Sequence, residues 1–504
     1  MIVGSDFVDG VWSVEPNRGP RGIRVTGRLD RTDGVSTTDA PVERGTGSRT
    51  RGVGARYALL AFALVVAVAF ALFLAVGRRQ SFFLDDWDFL AHRDGGDIGD
   101  LIRPHNEHWS TLPILVYRGL WRLFGVRTYL PYQLLVVLLH VTAAFLLRAV
   151  MRRAGVDPWL ATAAASLFVL FGAGDENILW AFQIGFVASL VLGLAHLLLA
   201  DHDGPIDRRD WLGLLAGFAG LLCSGGAVTM TIVVGLAMLL RRGWRIALFH
   251  TAPLGAVFVI WWLTEARDAY VSPGGDLESV ARFVTIGIGA AFDSMGQLPG
   301  VGIALGVLLA VGLVLAWSGV DRANVRSRAA APVALLAGGI VFLVTSGLGR
   351  ATSFGPDFAR SSRYVYFVAA LVLPALAVAA EAVGQRWRIL APVVVVLLLI
   401  GIPGNLDVLA DYQPLRQANP LPSLTQSNRR ANATGCEMAP VARRLDKGQS
   451  LRIDGGRVLL FAAGGRALSL AFDPADGHTL TALAGPLHFT VAPDDPSKPA
   501  VVCS

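Results

Sequence analysis

Residues 57–76 read YALLAFALVVAVAFALFLAV, and residues 81–88 read SFFLDDWD. The first stretch carries no charge over 20 residues. At about 1.5 Å of rise per residue, such a helix just crosses a bilayer core of about 30 Å. The second stretch places Asp85, Asp86 and Asp88 right after it. Carboxylates at a membrane face are costly to dehydrate, so chemistry is one reason to hold them there.

Working outward from this stretch, apolar runs recur as far as Pro403. The chain of 504 residues is 53% hydrophobic and only 16% charged, less charge than a soluble domain of this length carries. An all-α polytopic membrane protein follows. With 57–76, spans are expected at Leu130–Val150, Trp159–Phe171, Leu179–Ala200, Trp211–Cys223, Val228–Leu240, Ile246–Thr264, Pro299–Trp317, Pro332–Leu348, Tyr364–Ala380 and Leu390–Ile402, which makes eleven. The close pair Trp211–Cys223 and Val228–Leu240 needs a hinge, and Ser224-Gly225-Gly226 supplies one. Val280–Gln297 is expected as an external re-entrant or interfacial helix.

Five short loops hold arginines: Arg152 and Arg153; Arg208 and Arg209; Arg241, Arg242 and Arg245; Arg322, Arg326 and Arg328; Arg386 and Arg388. All five fall on one side when the N-terminus is cytoplasmic, which is where the positive-inside rule puts them. The +6 net charge is thereby accounted for without nucleic acid. Residues 1–56 read as a disordered cytoplasmic tail, 57–403 as the transmembrane domain, and 404–504 as an external segment. The plasma membrane is the expected location.

The first external loop, 77–129, continues past Asp88 into His105-Asn106-Glu107-His108 and then a helical stretch, 111–124, with Arg118 and Arg122 on one face. That stretch suits a helix lying on the membrane, with Ser110 as its cap and Pro113 in its first turn. Asp85 and Asp86 read as a general base, a metal ligand or both. They read equally as a helix cap beside the anchor Trp87. His105, Glu107 and His108 read as metal-binding or substrate-positioning groups, or as a polar loop face, since their spacing fits no standard zinc motif. Asp175 and Glu176 form a smaller acidic pair, and Gln183 lies two turns on, able to share a cavity with Glu176. His140, His196 and His250 read as packing or hydrogen-bonding residues.

An acidic pair in the first external loop, right after the first span, resembles the hallmark of the GT-C superfamily of membrane glycosyltransferases. The long loop, the span count and the external C-terminal domain are similar too, over roughly residues 57–403. The resemblance implies transfer of a sugar from a polyprenyl-phosphate carrier to an envelope glycan or lipid acceptor on the outer face. It implies that Asp85 or Asp86 is the catalytic base and that Asp175 or Glu176 is a second acidic site. No subfamily is indicated.

The loop 349–364 breaks the positive-inside pattern with Arg350, Arg360 and Arg363. Arginine's planar fork suits a phosphate. Basic residues at the external ends of late spans also resemble the GT-C arrangement. Arg360 and Arg363, then Arg350, are therefore expected on the lipid phosphate, helped by Tyr364 or Tyr366. Headgroup anchoring and pairing with Asp357 are the alternatives. Asp88, His105, Glu107, His108 and Glu176 complete the expected substrate-binding set. A divalent metal is an option and not a requirement, because arginine alone can stabilise the leaving phosphate.

Residues 404–435 read as a linker, followed by short β-like runs between Gly-Gly and Asp-Pro turns, hence a small β-rich domain. Cys436 and Cys503 bracket it and are expected to form a disulfide in an external compartment. The bridge would close 66 intervening residues, worth about 4 kcal/mol by chain entropy. Two free thiols in protein from intact membranes would defeat that expectation. A transporter or flippase of a lipid-linked saccharide is the rival function. Transporters often show internal repeats, and none is evident here. A non-catalytic envelope membrane protein is a third reading.

Overall fold

A computed structural model describes the chain from Thr46 to Tyr412, apart from residues 83–84, 92, 94, 127, 268–275 and 319–321. Outside that range it describes only short strands. Two of these, Phe7–Val8 and Val11–Trp12, pair antiparallel in the N-terminal unit Met1–Gly52. The rest of the expected tail lies outside the described residues, as do the side chains of Trp87 and of residues 46–52.

The helices are α1 (Thr46–Gly77), α2 (Asp85–Ala91), α3 (Ile98–Ile102), α4 (Thr111–Phe124), α5 (Leu130–Arg153), α6 (Pro158–Val169), α7 (Asp175–Leu179), α8 (Ile184–Ala200) and α9 (Arg208–Leu221). They continue as α10 (Gly226–Arg241), α11 (Trp244–Trp261), α12 (Leu277–Gly296), α13 (Val301–Ser318), α14 (Arg322–Phe354), α15 (Ser362–Arg386), α16 (Ala391–Leu399) and α17 (Ile402–Ala410). Local chemistry sets several starts. Asp157, Asp207 and Asp276 each accept a backbone N–H in the first turn of α6, α9 and α12.

This is an all-α polytopic membrane architecture. Among the described residues, 8 helices are long and apolar enough to cross a bilayer, and up to 9 if a bent pair counts as one span. The shortfall from eleven lies in α9 and α10, with 14 and 16 residues. At about 1.5 Å per residue, neither reaches about 30 Å. They meet at Ser224 and Gly225, where the hinge was expected. The bent pair is Pro158–Val169 with Gly172–Leu179, angled by 47°. A Cβ at Gly172 would lie 1.9 Å from the Asn405 carbonyl oxygen, so α17 presses directly on the break.

Two differences concern boundaries. α1 begins at Thr46, ahead of Tyr57. Residues 404–410 belong to α17 and are not linker. Asn405 is buried there, accepting from the Ala173 N–H at 3.0 Å and donating to the Ser294 and Gly401 carbonyls.

Residues 362–386 and 181–200 sit at the centre, with 78% and 72% of their apolar windows buried, against 17% for α1 and 22% for α11 and α13. The central helices pack on protein, and the others leave one side for lipid. The arginine loops gather at one end of this bundle. Arg241 lies 2.7 Å from Asp201 and donates to the Ser327 carbonyl, Arg153 lies 3.8 Å from Asp201, and Arg242 pairs with Asp210. α5, 24 residues long, runs from the Asp85 end to these loops, a rise of about 36 Å.

Beyond Tyr412 the described elements are eight strands between Cys436 and Cys503. Val501–Cys503 pairs antiparallel with Cys436–Met438, setting Cys503 opposite Cys436. Residues 413–435 lie outside the described residues.

Candidate functional site

The segment from Asp85 to Trp109 is built as a strap across the bundle end. The Arg93 guanidinium, buried, donates to the carbonyls of Asp100, Arg103 and Pro104 at 2.8–2.9 Å. Three carbonyls aimed at one cation fix the backbone leading into His105. There the chain makes a tight hairpin: the His105 N–H donates to the His108 carbonyl and the His108 N–H to the His105 carbonyl, both at 2.9 Å. Asn106 takes φ of 52° at its tip, a conformation asparagine tolerates. Trp109 stacks on Trp261 of α11 with centroids 5.0 Å apart, and the Trp261 indole N–H donates to the Ile102 carbonyl. α4 packs below through Ile114 and Tyr117. Ser110 makes no side-chain cap, contrary to expectation, and is buried at the edge of the cavity described next.

A cavity of about 310 Å³ opens under the hairpin. Asp85, His105, Glu107, His108, Arg350 and Arg363 line its polar end. Phe186, Val228, Ile232, Phe258 and Phe342 line its apolar part, along α8, α10, α11 and α14. Ile232 lines this part and keeps 43% of its surface exposed. Gly225 and Gly226 let α10 start directly beneath the hairpin. A Cβ on Gly225 would sit 2.9 Å from His108 Nδ1.

Asp85 and Asp86 have different environments. Asp86 is fully buried and absent from the cavity wall. Tyr117 and Tyr129 hydroxyls and the Trp180 indole N–H donate to its carboxylate, the last at 3.0 Å. Burial and the Asp86 charge hold both tyrosines far above their ordinary pKa, so they remain donors. Asp86 therefore anchors the loop. Asp85 faces the cavity. Burial pushes its carboxyl above the usual carboxylate range and Asp88 adds to this, while the nearby His105 and Arg363 pull it down. A raised carboxyl suits a base.

Asp88 accepts from His105 Nδ1 at 2.7 Å, with Arg93 behind it at 3.9 Å. Glu107 pairs with Arg350, and Arg363 Nε lies 3.3 Å from a Glu176 carboxylate oxygen. His108 is half-buried, and desolvation pulls its pKa down to about 4, so it is neutral. Tyr364 lines the cavity among Phe283, Phe342 and Phe358. Gln183 lines it too, whereas Glu176 reaches it only through Arg363. Arg360 lies outside it, largely exposed, 3.5 Å from Asp357, which is the pairing weighed against phosphate binding. Asp175 accepts from the Ser362 hydroxyl at 2.6 Å. Tyr366 is buried against His140, at 3.0 Å, and belongs to the core. His196 and His250 bond to each other, also as core residues. Sequence reasoning missed the apolar cavity walls from α10 and α14. Only the Ser224-Gly225-Gly226 hinge signalled that a helix starts there.

Among the described residues, one group has metal-ligand spacing: His202, Asp207 and Asp210, at the arginine end. Arg242 and His250 already occupy the Asp210 oxygens, so this is an ion-pair network in which a cation is present as guanidinium. At the cavity, Glu107 is taken by Arg350 and His105 Nδ1 by Asp88, and the remaining donors do not converge in this way.

No protein-family model, curated protein or solved structure matches the chain.

Proposed function

We propose that this is a membrane glycosyltransferase that moves a sugar from a polyprenyl-phosphate carrier to a cell-envelope glycan or lipid acceptor. The observation that carries the reading is the two-part cavity. Its polar end joins a carboxylate, Asp85, to two arginines, Arg350 and Arg363, and its apolar part lies between α8, α10, α11 and α14. A lipid phosphate fits that order: isoprenoid tail along α10 and α14, phosphate at the arginines, sugar toward Asp85. Asp85 takes the proton of the acceptor hydroxyl as its oxygen attacks the anomeric carbon. The bond from that carbon to the phosphate oxygen breaks, and the phosphate leaves with the electron pair, neutralised by arginine. No metal is needed in this scheme.

In this reading the site lies on the external face of the plasma membrane, with the arginine loops and the N-terminus in the cytoplasm. The strands after Cys436 form a small external β-rich domain closed by Cys436–Cys503. Directly opposed antiparallel residues have Cα atoms about 4.5–5.5 Å apart, within disulfide range. The test is transfer by the purified protein in nanodiscs, offered short-chain polyprenyl-phosphoryl hexoses and pentoses with alkyl glycosides as acceptors. Transfer that Asp85→Asn abolishes supports the reading. Binding and movement of the lipid across the bilayer without transfer would favour a flippase.

A further inference from the structure

His105 is 8% exposed, and its Nε2 is buried with no hydrogen-bond partner among the described residues. Its Nδ1 is 2.7 Å from Asp88, and its Nε2 is 3.9 Å from the Asp85 carboxylate. Since a carboxylate only accepts, Asp88 selects the tautomer with the proton on Nδ1. That leaves the Nε2 lone pair pointing to the cavity beside Asp85. The aromatic edges of Phe89 and Phe182 clamp the ring at about 5 Å, so it cannot easily turn away. The other charged or titratable groups around it are Arg93 behind Asp88, Glu107 and His108 in the hairpin, and Arg363, which acts on Asp85.

We infer that Asp85 does not act alone: Asp85, His105 and Asp88 form a proton relay in which the acceptor's proton comes to rest on His105 Nε2. The inference depends on the glycosyl-transfer reading and deepens it. In the step, the acceptor O–H bond breaks and its proton passes to Asp85. The oxygen forms the new bond to the anomeric carbon, and the carbon–phosphate-oxygen bond breaks with both electrons to the phosphate. The proton then passes from Asp85 to the Nε2 lone pair once the two groups close from 3.9 Å to hydrogen-bonding distance. The imidazolium lies between two carboxylates, and Asp85 is restored as an anion. Asp88 is a positioning residue, acting through the tautomer it imposes. Arrangements of this kind contribute about 10²- to 10⁴-fold to a rate.

The test combines kinetics with a readout that needs no substrate. His105→Asn keeps an amide N–H to bond Asp88 and removes Nε2. It should leave the thermal midpoint near wild type and lower transfer at neutral pH about 100-fold or more. It should also change the pH–rate profile, because a group that carries the proton has been removed. Asp88→Asn, which allows the other tautomer, should lower the turnover rate with little change in donor KM. Independently, 15N NMR of ring-labelled histidine, assigned with His105→Asn, should show the Nδ1–H tautomer in the resting protein and a shift away from it in Asp88→Asn. An unchanged pH profile in His105→Asn, with Asp85→Asn inactive, overturns the relay and leaves the transferase reading standing. A resting Nε2–H tautomer overturns it whether or not transfer is found. Absence of wild-type transfer with every donor defeats the transferase reading and the relay with it, while the tautomer result still reports on the Asp88 contact.

Discussion

Neighbouring residues on a helix point about 100° apart. In α2 that angle sends the Asp85 carboxylate into the cavity and the Asp86 carboxylate into a nest of Tyr117, Tyr129 and Trp180. Removing Asp86 would strand three buried donors, each costing about 1–3 kcal/mol. Asp86→Ala should therefore lower the thermal midpoint strongly or prevent folding, whereas Asp85→Asn, at a partly exposed position, should shift it little. Unfolding scans in detergent distinguish the two. The arginines divide in the same way. Arg363→Ala and Arg350→Ala should weaken binding of a polyprenyl phosphate about 10- to 100-fold, the worth of a charge-assisted hydrogen bond of about 1.5–3 kcal/mol. Arg360→Ala, at an exposed pair with Asp357, should change it less than about threefold. Lipid titrations by thermophoresis read both. The acidic triplet and the arginine loop were legible in sequence as a chemical set. Which carboxylate faces the cavity was not, because three partners of Asp86 come from residues 31 to 94 positions away.

The hinge at Ser224-Gly225-Gly226 was readable because arginines flank both ends of the stretch 211–240, and a single crossing would set them on opposite faces. Its consequence was not readable: breaking the chain there brings the start of α10 beneath the His105–His108 hairpin. The hairpin itself carries no local signal beyond Asn106. It depends on the Arg93 carbonyl clamp and on Trp261, 152 residues from Trp109 in sequence. The same applies to the apolar part of the cavity, whose walls belong to helices that look uniformly hydrophobic. In the proposed reading the lipid tail runs past Ile232, which lines that part and is 43% exposed. Ile232→Trp should fill the passage, raise the donor KM at least tenfold for long-chain donors and have a smaller effect on a donor with one isoprene unit. Equal effects on both would show that the tail does not run there.

At the scale of the molecule, the five arginine loops were read from charge alone. In space four of them, at 152–153, 208–209, 241–245 and 326–328, meet at one end through Arg153–Asp201, Arg241–Asp201, Arg242–Asp210 and the Arg241 bond to the Ser327 carbonyl, about one α5 length from Asp85. The span count was less legible, because apolar composition does not reveal that α9 and α10 stop at 14 and 16 residues. Orientation is tested by single cysteines at exposed sites on the two ends. A membrane-impermeant maleimide should label Ile98→Cys in intact cells and Asp203→Cys only after permeabilisation; the reverse would turn the protein over. In the proposed reaction a carboxylate and two arginines at the polar end of the cavity move a sugar off a lipid phosphate. Its most direct measurement is single-turnover transfer from polyprenyl-phosphoryl sugars by the purified protein, wild type beside Asp85→Asn. Release of polyprenyl phosphate should be coupled one-to-one to glycosylated acceptor, and should fall at least about 100-fold with Asp85→Asn. Undiminished transfer by Asp85→Asn would contradict it.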